Sequence, residues 1–150
     1  MGAQKLLSPE PGEFSYEYDN FLKSVKTTLM FESWISEVAE QDLTDNFNVY
    51  PGDLRNYIYT IDWLIYSFAE LAKSVDVKDC IGFANRLRTR ISYGIKDELF
   101  TLVSLPGIGR VRARRLFNNG ITSFQELLNA PFEKVAQLVG PALATKLREK

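Results

Sequence analysis

Residues 105–115, Leu-Pro-Gly-Ile-Gly-Arg-Val-Arg-Ala-Arg-Arg, constrain the fold more than any other stretch of the chain. Gly107 and Gly109 flank Ile108 in a tight hairpin, and the helix that follows carries four arginines. The glycines allow a turn that bares backbone N–H groups. The helix after the turn aims its positive N-terminal end the same way, so an anion site exists before any side chain is counted. Arg110, Arg112, Arg114 and Arg115 add the charge that would hold a nucleic-acid backbone there.

The remainder reads as helices. Tyr16 to about Trp34 repeats apolar residues at helical spacing through Phe21, Val25, Leu29 and Trp34. A short helix is expected over Gln41–Phe47, and a long one from Pro51 to about Lys73, where Pro51 and Asp53 suit a first turn. Further helices are expected at 77–93, interrupted at Gly94, then at 95–104, 110–119, 124–129, 132–139 and 142–149. Gly120 is expected to cap the helix over 110–119. Leu138-Val139-Gly140-Pro141 has the look of a degenerate second hairpin without following arginines. No segment alternates with a strand period. The expected fold is therefore all-α: a helical bundle, then a small helix-hairpin-helix domain. Residues 1–15, with Pro9, Pro11 and Gly12, read as a linker or cloning remnant.

Composition removes several function classes. The chain has no histidine, which excludes the usual neutral-pH base, the Ser/His and Cys/His pairs and the commonest metal ligand. One cysteine, Cys80, allows no internal disulfide and suits a reducing, cytoplasmic setting; packing gives it a role as a small core residue. No apolar run approaches a membrane span, and the N-terminus lacks a secretory pattern. The net charge of −1 hides a division. Residues 1–85 carry fourteen Asp/Glu against six Lys/Arg, whereas residues 86–115 carry eight Lys/Arg against Asp97 and Glu98 alone. A polyanion feels that local block. Arg86 and Arg90, four residues apart, extend it, and Arg110 and Arg114 share a face for the same reason.

On the helix over 51–73, a turn of roughly 100° per residue gathers Leu54, Ile58, Ile61, Ile65, Phe68 and Ala72 into one stripe, the expected core face. Trp63 projects opposite, flanked by Tyr59, Tyr66 and Asn56. Two roles stay open for it: contact with another helix, or a stacking platform for an unpaired base.

Two runs carry a family resemblance. One holds Trp34-Ile35, Glu37-Val38, Leu43, Phe47, Val49, Pro51-Gly52-Asp53-Leu54-Arg55 and Trp63-Leu64; the other is Arg90-Ile91-Ser92-Tyr93-Gly94-Ile95-Lys96-Asp97-Glu98-Leu99, leading into Leu105–Arg114. In this order, over about residues 16–125, they resemble the C-terminal end of archaeal Ski-like superfamily-2 DNA repair helicases, with the helicase part of DNA polymerase theta among animal relatives. The resemblance implies a partial helical ratchet domain over 16–95 and a helix-hairpin-helix domain over 96–150. It also implies a ratchet helix that stacks a tryptophan on a base, matched by Trp63, and pairs an arginine with the strand. Where members often read Asp-Leu-Arg-Arg, this chain has Asp53-Leu54-Arg55-Asn56. Asn56 lies one heptad before Trp63 on its face, and Arg55 about 80° from the far side of the core stripe.

No Gly-x-x-x-x-Gly-Lys-Ser/Thr loop or Asp-Glu-x-His-like sequence occurs, so no ATPase chemistry is expected here. ATP and magnesium would belong to missing motor domains, which leaves an excised fragment or a motorless relative of a 3'-5' helicase. No aspartate follows Asp97, which removes the base that hairpin-type glycosylases need. The expected function is non-catalytic binding of single-stranded or forked DNA through Gly107, Ile108, Gly109, Arg110, Arg112, Arg114, Arg115, Trp63, Arg55, Asn56, Arg86 and Arg90. The expected partners are the helicase motor and other repair or replication proteins. A helical protein-interaction or autoregulatory module is the alternative.

Overall fold

The computed structural model describes residues 9–149; residues 1–8, about half of the expected 1–15 linker, and residue 150 lie outside the described residues. Among the described residues there is no strand. The helices are α1 (Tyr18–Ile35), α2 (Glu40–Phe47), α3 (Pro51–Ser74), α4 (Asp79–Tyr93), α5 (Phe100–Val103), α6 (Arg110–Asn118), α7 (Phe124–Asn129), α8 (Phe132–Val139) and α9 (Pro141–Arg148).

Two apolar cores form. The first joins the C-terminal half of α1 to α2, α3 and α4 through Met30, Phe31, Trp34, Leu43, Leu54 and Ile91, with Ile58, Ile61 and Ile65 packed against it. The second runs from Ile95 and Leu99 through Leu102, Ile108, Leu116, Leu127 and Val135 to Leu147. Local chemistry explains most boundaries. Pro51 opens α3 in its first turn. After α6, the N–H groups of Gly120 and Ile121 donate to the carbonyls of Phe117 and Leu116, with Gly120 at φ +77°; this is a Schellman ending. Ser123 caps α7 by accepting from the Glu126 N–H, while the Glu126 carboxylate accepts from the Thr122 N–H. The 138–141 turn is a second hairpin, with Gly140 at φ +95° between α8 and α9.

Four expectations are corrected. Val25 and Leu29 are exposed, because α1 meets the bundle through Met30, Phe31 and Trp34 near its C-terminus. Phe68 is 51% exposed, while the small side chains of Ala69 and Ala72 are buried. The helix over 95–104 is a 3₁₀ turn, Asp97–Leu99, followed by the four-residue α5. Cys80 is half-buried at the edge rather than in either core.

The cores meet at Trp34. Its indole Nε1–H donates to the Ile91 carbonyl at 2.6 Å. Gly94, at φ +62°, lies against the ring so closely that a Cβ there would stand 2.4 Å from Cε2. Glycine is required at 94 twice over, by backbone conformation and by the ring. That contact ends α4 and aims the chain into the hairpin domain.

Candidate nucleic-acid interface

The two hairpin glycines do different work. Gly107 has φ +81°, and a Cβ on it would meet Leu143 Cδ1 at 2.8 Å, so it fits the first hairpin against the second. Ile108 is the buried peg between them, 2% exposed. Gly109 is extended, φ −95° and ψ −179°, a conformation open to any residue, and a Cβ there would meet nothing within 4 Å. Its lack of a side chain leaves open space at the mouth of α6. Gly109 is also the N-cap of α6, with no side-chain cap. Unlike the amides that Ser123 covers at α7, the first-turn N–H groups of α6 stay open to an outside acceptor.

The arginines divide into two sets. Arg110 and Arg114 do share a face, and both guanidiniums on it have partners in the bundle, although Arg110 also lines the cleft beside Arg112 and Arg115. Arg114 donates Nε to Glu37 Oε2 at 2.7 Å and Nη2 to Glu37 Oε1 at 2.6 Å, and reaches Glu98 Oε1 at 2.9 Å. The Lys96 N–H also donates to Glu37 Oε1, at 3.0 Å. Burial raises the Glu37 pKa, but the Arg114 guanidinium and the Lys96 amide outweigh it and hold the carboxyl below its usual range. Hydrogen bonding to Glu37 pushes Arg114 upward in turn. Arg110 donates Nη2 to the Val38 carbonyl and lays Cζ 4.5 Å from the centre of the Trp34 ring. Burial lowers its pKa against the pull of Glu37 and Glu40.

Arg86 and Arg90 are also engaged. Arg86 Nη2 lies 3.4 Å from Asp97 Oδ1, Arg90 Nη1 lies 3.7 Å from Asp97 Oδ2, and Arg90 Nε donates to the Ile95 carbonyl. Arg88 grips Asp62 through Nε and Nη2 at 2.6 and 2.9 Å, which lowers the Asp62 carboxyl. Among the described residues Arg55, Arg112 and Arg115 make no carboxylate contact; Arg112 donates only to the Gly107 carbonyl at 3.1 Å.

These free cations border connected clefts. A cleft of about 720 Å³ opens between Trp34, Glu40 and Tyr93 on one side and Gly109, Arg112 and Arg115 on the other. A second, about 580 Å³, runs between α3 and α4 past Arg55, Tyr59 and Asp62. Ser92 and Tyr93 line both, so the two join at the end of α4. On the adjoining outer face of α3, Tyr59 is 77% and Trp63 59% exposed, with Arg55 and Asn56 exposed beside them. Gly109, Arg112 and Arg115 thus lie at one end of the joined clefts and Arg55 at the other, with Asn56 and Trp63 on the adjoining outer face of α3.

Sequence reasoning missed Tyr93, Glu37 and the seam role of Trp34. Glu37 and Arg114 are 77 residues apart, and no spacing rule pairs residues at that range. The one local sign at Glu37 is its φ of +70°, which only the backbone reveals. Among the described residues no three His, Cys, Asp or Glu side chains gather where they could hold a metal ion. No described helix is long and apolar enough to cross a membrane.

Comparison with known proteins gives the family of the chain. Residues 2–94 match the family described as archaeal helicase, domain 4, and residues 99–150 match the SAM-like helix-hairpin-helix tandem. The chain is similar to the ATP-dependent DNA helicase Hel308 of Pyrococcus abyssi, 37% identical over 131 residues, covering 85% of this chain and 18% of the relative. It is 40% identical over 121 residues to the protein of the same name in Pyrococcus horikoshii, covering 80% and 17%. A third such helicase, from Thermococcus kodakarensis, is 37% identical over 141 residues, covering 93% and 12%. The chain therefore spans less than a fifth of the length of these relatives.

Proposed function

The chain belongs to the archaeal helicase domain 4 family, and from that premise we propose that it is a non-catalytic nucleic-acid-binding module of an ATP-dependent DNA helicase. It guides single-stranded or forked DNA, while ATP, magnesium and force belong to motor domains elsewhere in the parent protein. Other repair or replication proteins are partners of that parent.

The observation that carries this reading is the continuity of the cationic and aromatic track. Trp63, Tyr59 and Arg55 on the outer face of α3 lead into a cleft that ends at the uncapped N-terminus of α6, beside Arg112 and Arg115. Exposed rings stack on unpaired bases whatever their identity, and arginines with open amides take the phosphates. The contacts proposed for this track are to phosphates and to ring faces, which carry little sequence information, so recognition is of the strand rather than the sequence.

Fluorescence anisotropy with labelled oligonucleotides over a salt series tests it. Tailed and single-stranded DNA are expected to bind more tightly than blunt duplex. Affinity is expected to fall with salt, and Trp63→Ala is expected to weaken single-strand binding by about 1–3 kcal/mol. Affinity that ignores salt and survives an Arg112→Ala/Arg115→Ala double change would overturn the reading in favour of a protein-interaction module.

A further inference from the structure

Three clefts meet at the C-terminal end of α4, and the Tyr93 ring stands at their junction. It lines the hairpin cleft, the α3–α4 cleft and a smaller one of about 290 Å³ beside Asp62 and Arg88. Two neighbouring aromatic faces are taken: Arg88 covers Tyr66 at 5.0 Å, and Trp34 is held between Arg110 and Gly94; Tyr59, in the α3–α4 cleft, is open. Tyr93 has no such cover and remains 41% exposed. Neither does packing explain it, since Ile91 and Gly94 make the contacts that close α4 onto Trp34.

Charge sharpens the point. Around the junction Asp62 is neutralised by Arg88, Asp97 by Arg86 and Arg90, and Glu37 by Arg114. What remains is Arg55 on one side, Arg112 and Arg115 on the other, and Glu40 on the rim. An exposed ring between two sets of free guanidiniums suits a chain that alternates flat bases with phosphates.

Resting on the binding role proposed above, we infer that Tyr93 is a further base-stacking residue, apart from the rings on the outer face of α3. It receives one base of single-stranded DNA where the strand crosses from the α3 face to the hairpin, with the flanking phosphates at Arg55 and at Arg112 and Arg115. The contact is made by the ring face, so phenylalanine serves and an aliphatic side chain of similar volume does not.

The test is anisotropy with oligo(dT) of graded length, from about four nucleotides to about sixteen, on the 150-residue chain. It compares Tyr93→Phe, Tyr93→Leu, Trp63→Ala and Arg112→Ala/Arg115→Ala, with circular dichroism as the folding control. Tyr93→Phe is expected to bind as wild type. Tyr93→Leu is expected to lose roughly tenfold on the longer strands, within the range of one lost stack, and nothing on a fully abasic strand. If Tyr93→Leu binds as wild type while Trp63→Ala and the arginine variant lose affinity, the inference falls and the binding role stands. An equal loss on the abasic strand also overturns it, since the ring would then act by shape alone. If no variant loses affinity, the binding role itself fails and takes the inference with it.

Discussion

Glu37 is the residue whose replacement says most about how the two cores are joined. Its carboxylate makes a bidentate pair with Arg114, and the side chains are 11% and 26% exposed. Removing one partner of a buried pair costs about 3–5 kcal/mol. Here Glu98 still contacts Arg114 and water reaches the guanidinium, so Glu37→Ala is expected to cost about 2 kcal/mol. Glu37 also sits at φ +70°. A residue with a Cβ bears roughly 1 kcal/mol of strain there, and glycine does not. Glu37→Gly should therefore be about 1 kcal/mol more stable than Glu37→Ala, although both lose the same pair. In a domain of this size 1 kcal/mol moves Tm by roughly 2–4 °C, which urea and thermal unfolding followed by circular dichroism resolve. A double-mutant cycle with Arg114→Ala should return a coupling near 2 kcal/mol. If Glu37→Gly is no better than Glu37→Ala, the strain is not there. If the double mutant is additive to within about 0.5 kcal/mol, the seam is not held by this pair.

The hairpin glycines should separate stability from binding. Gly107→Ala, strained at φ +81° and against Leu143, is expected to destabilise by about 1–3 kcal/mol; Gly109→Ala should leave Tm unchanged and weaken DNA binding, as melting and anisotropy together would reveal. Acid should loosen the seam at Glu37 and the α3–α4 contact at Asp62: both carboxyls lie below their ordinary values when folded, so their stabilisation is full above the unfolded values near pH 4 and is lost as pH falls through the folded ones. Glu37→Gln should flatten that acid limb in a pH series of urea midpoints, and an unchanged limb counts against the assignment. Gly94→Ala should disturb the Trp34 environment in near-UV circular dichroism, because its Cβ would collide with the ring.

The helices were legible because their ends carry local chemistry: Pro51, Gly94, Gly120 and the Thr122–Glu126 box act within a few residues. Their inward faces were less so. α1 has an apolar stripe at Leu22, Val25 and Leu29 that is exposed beside the buried one at Met30, Phe31 and Trp34, and periodicity alone does not choose between two stripes. Phe68 failed for a related reason: the buried face of α3 runs through Ala69 and Ala72 there, about 100° round the helix from Phe68 in the case of Ala69. At the interface, the basic block was plain in the composition, but its pairing was not. Whether an arginine waits for a phosphate or holds the fold depends on carboxylates brought by chain reversal, as Glu37 is brought to Arg114.

That division has a countable consequence. Seven arginines fall in the region first expected to meet nucleic acid: Arg55, Arg86, Arg90, Arg110, Arg112, Arg114 and Arg115. If all seven neutralised phosphates, the slope of log K against log salt on a single strand would approach about −5, taking roughly −0.7 per contact. Arg86, Arg90 and Arg114 already face carboxylates, and Arg110 is committed to Val38 and Trp34. Only Arg55, Arg112 and Arg115 are left to displace counterions, so the slope is expected near −2. Arg114→Ala should then weaken binding through the width of the cleft while leaving the slope unchanged, whereas Arg112→Ala should reduce its magnitude by about 0.7. A wild-type slope near −5 would mean that DNA pulls the seam arginines from their carboxylates, and the bundle and hairpin would not keep this arrangement when the strand is bound.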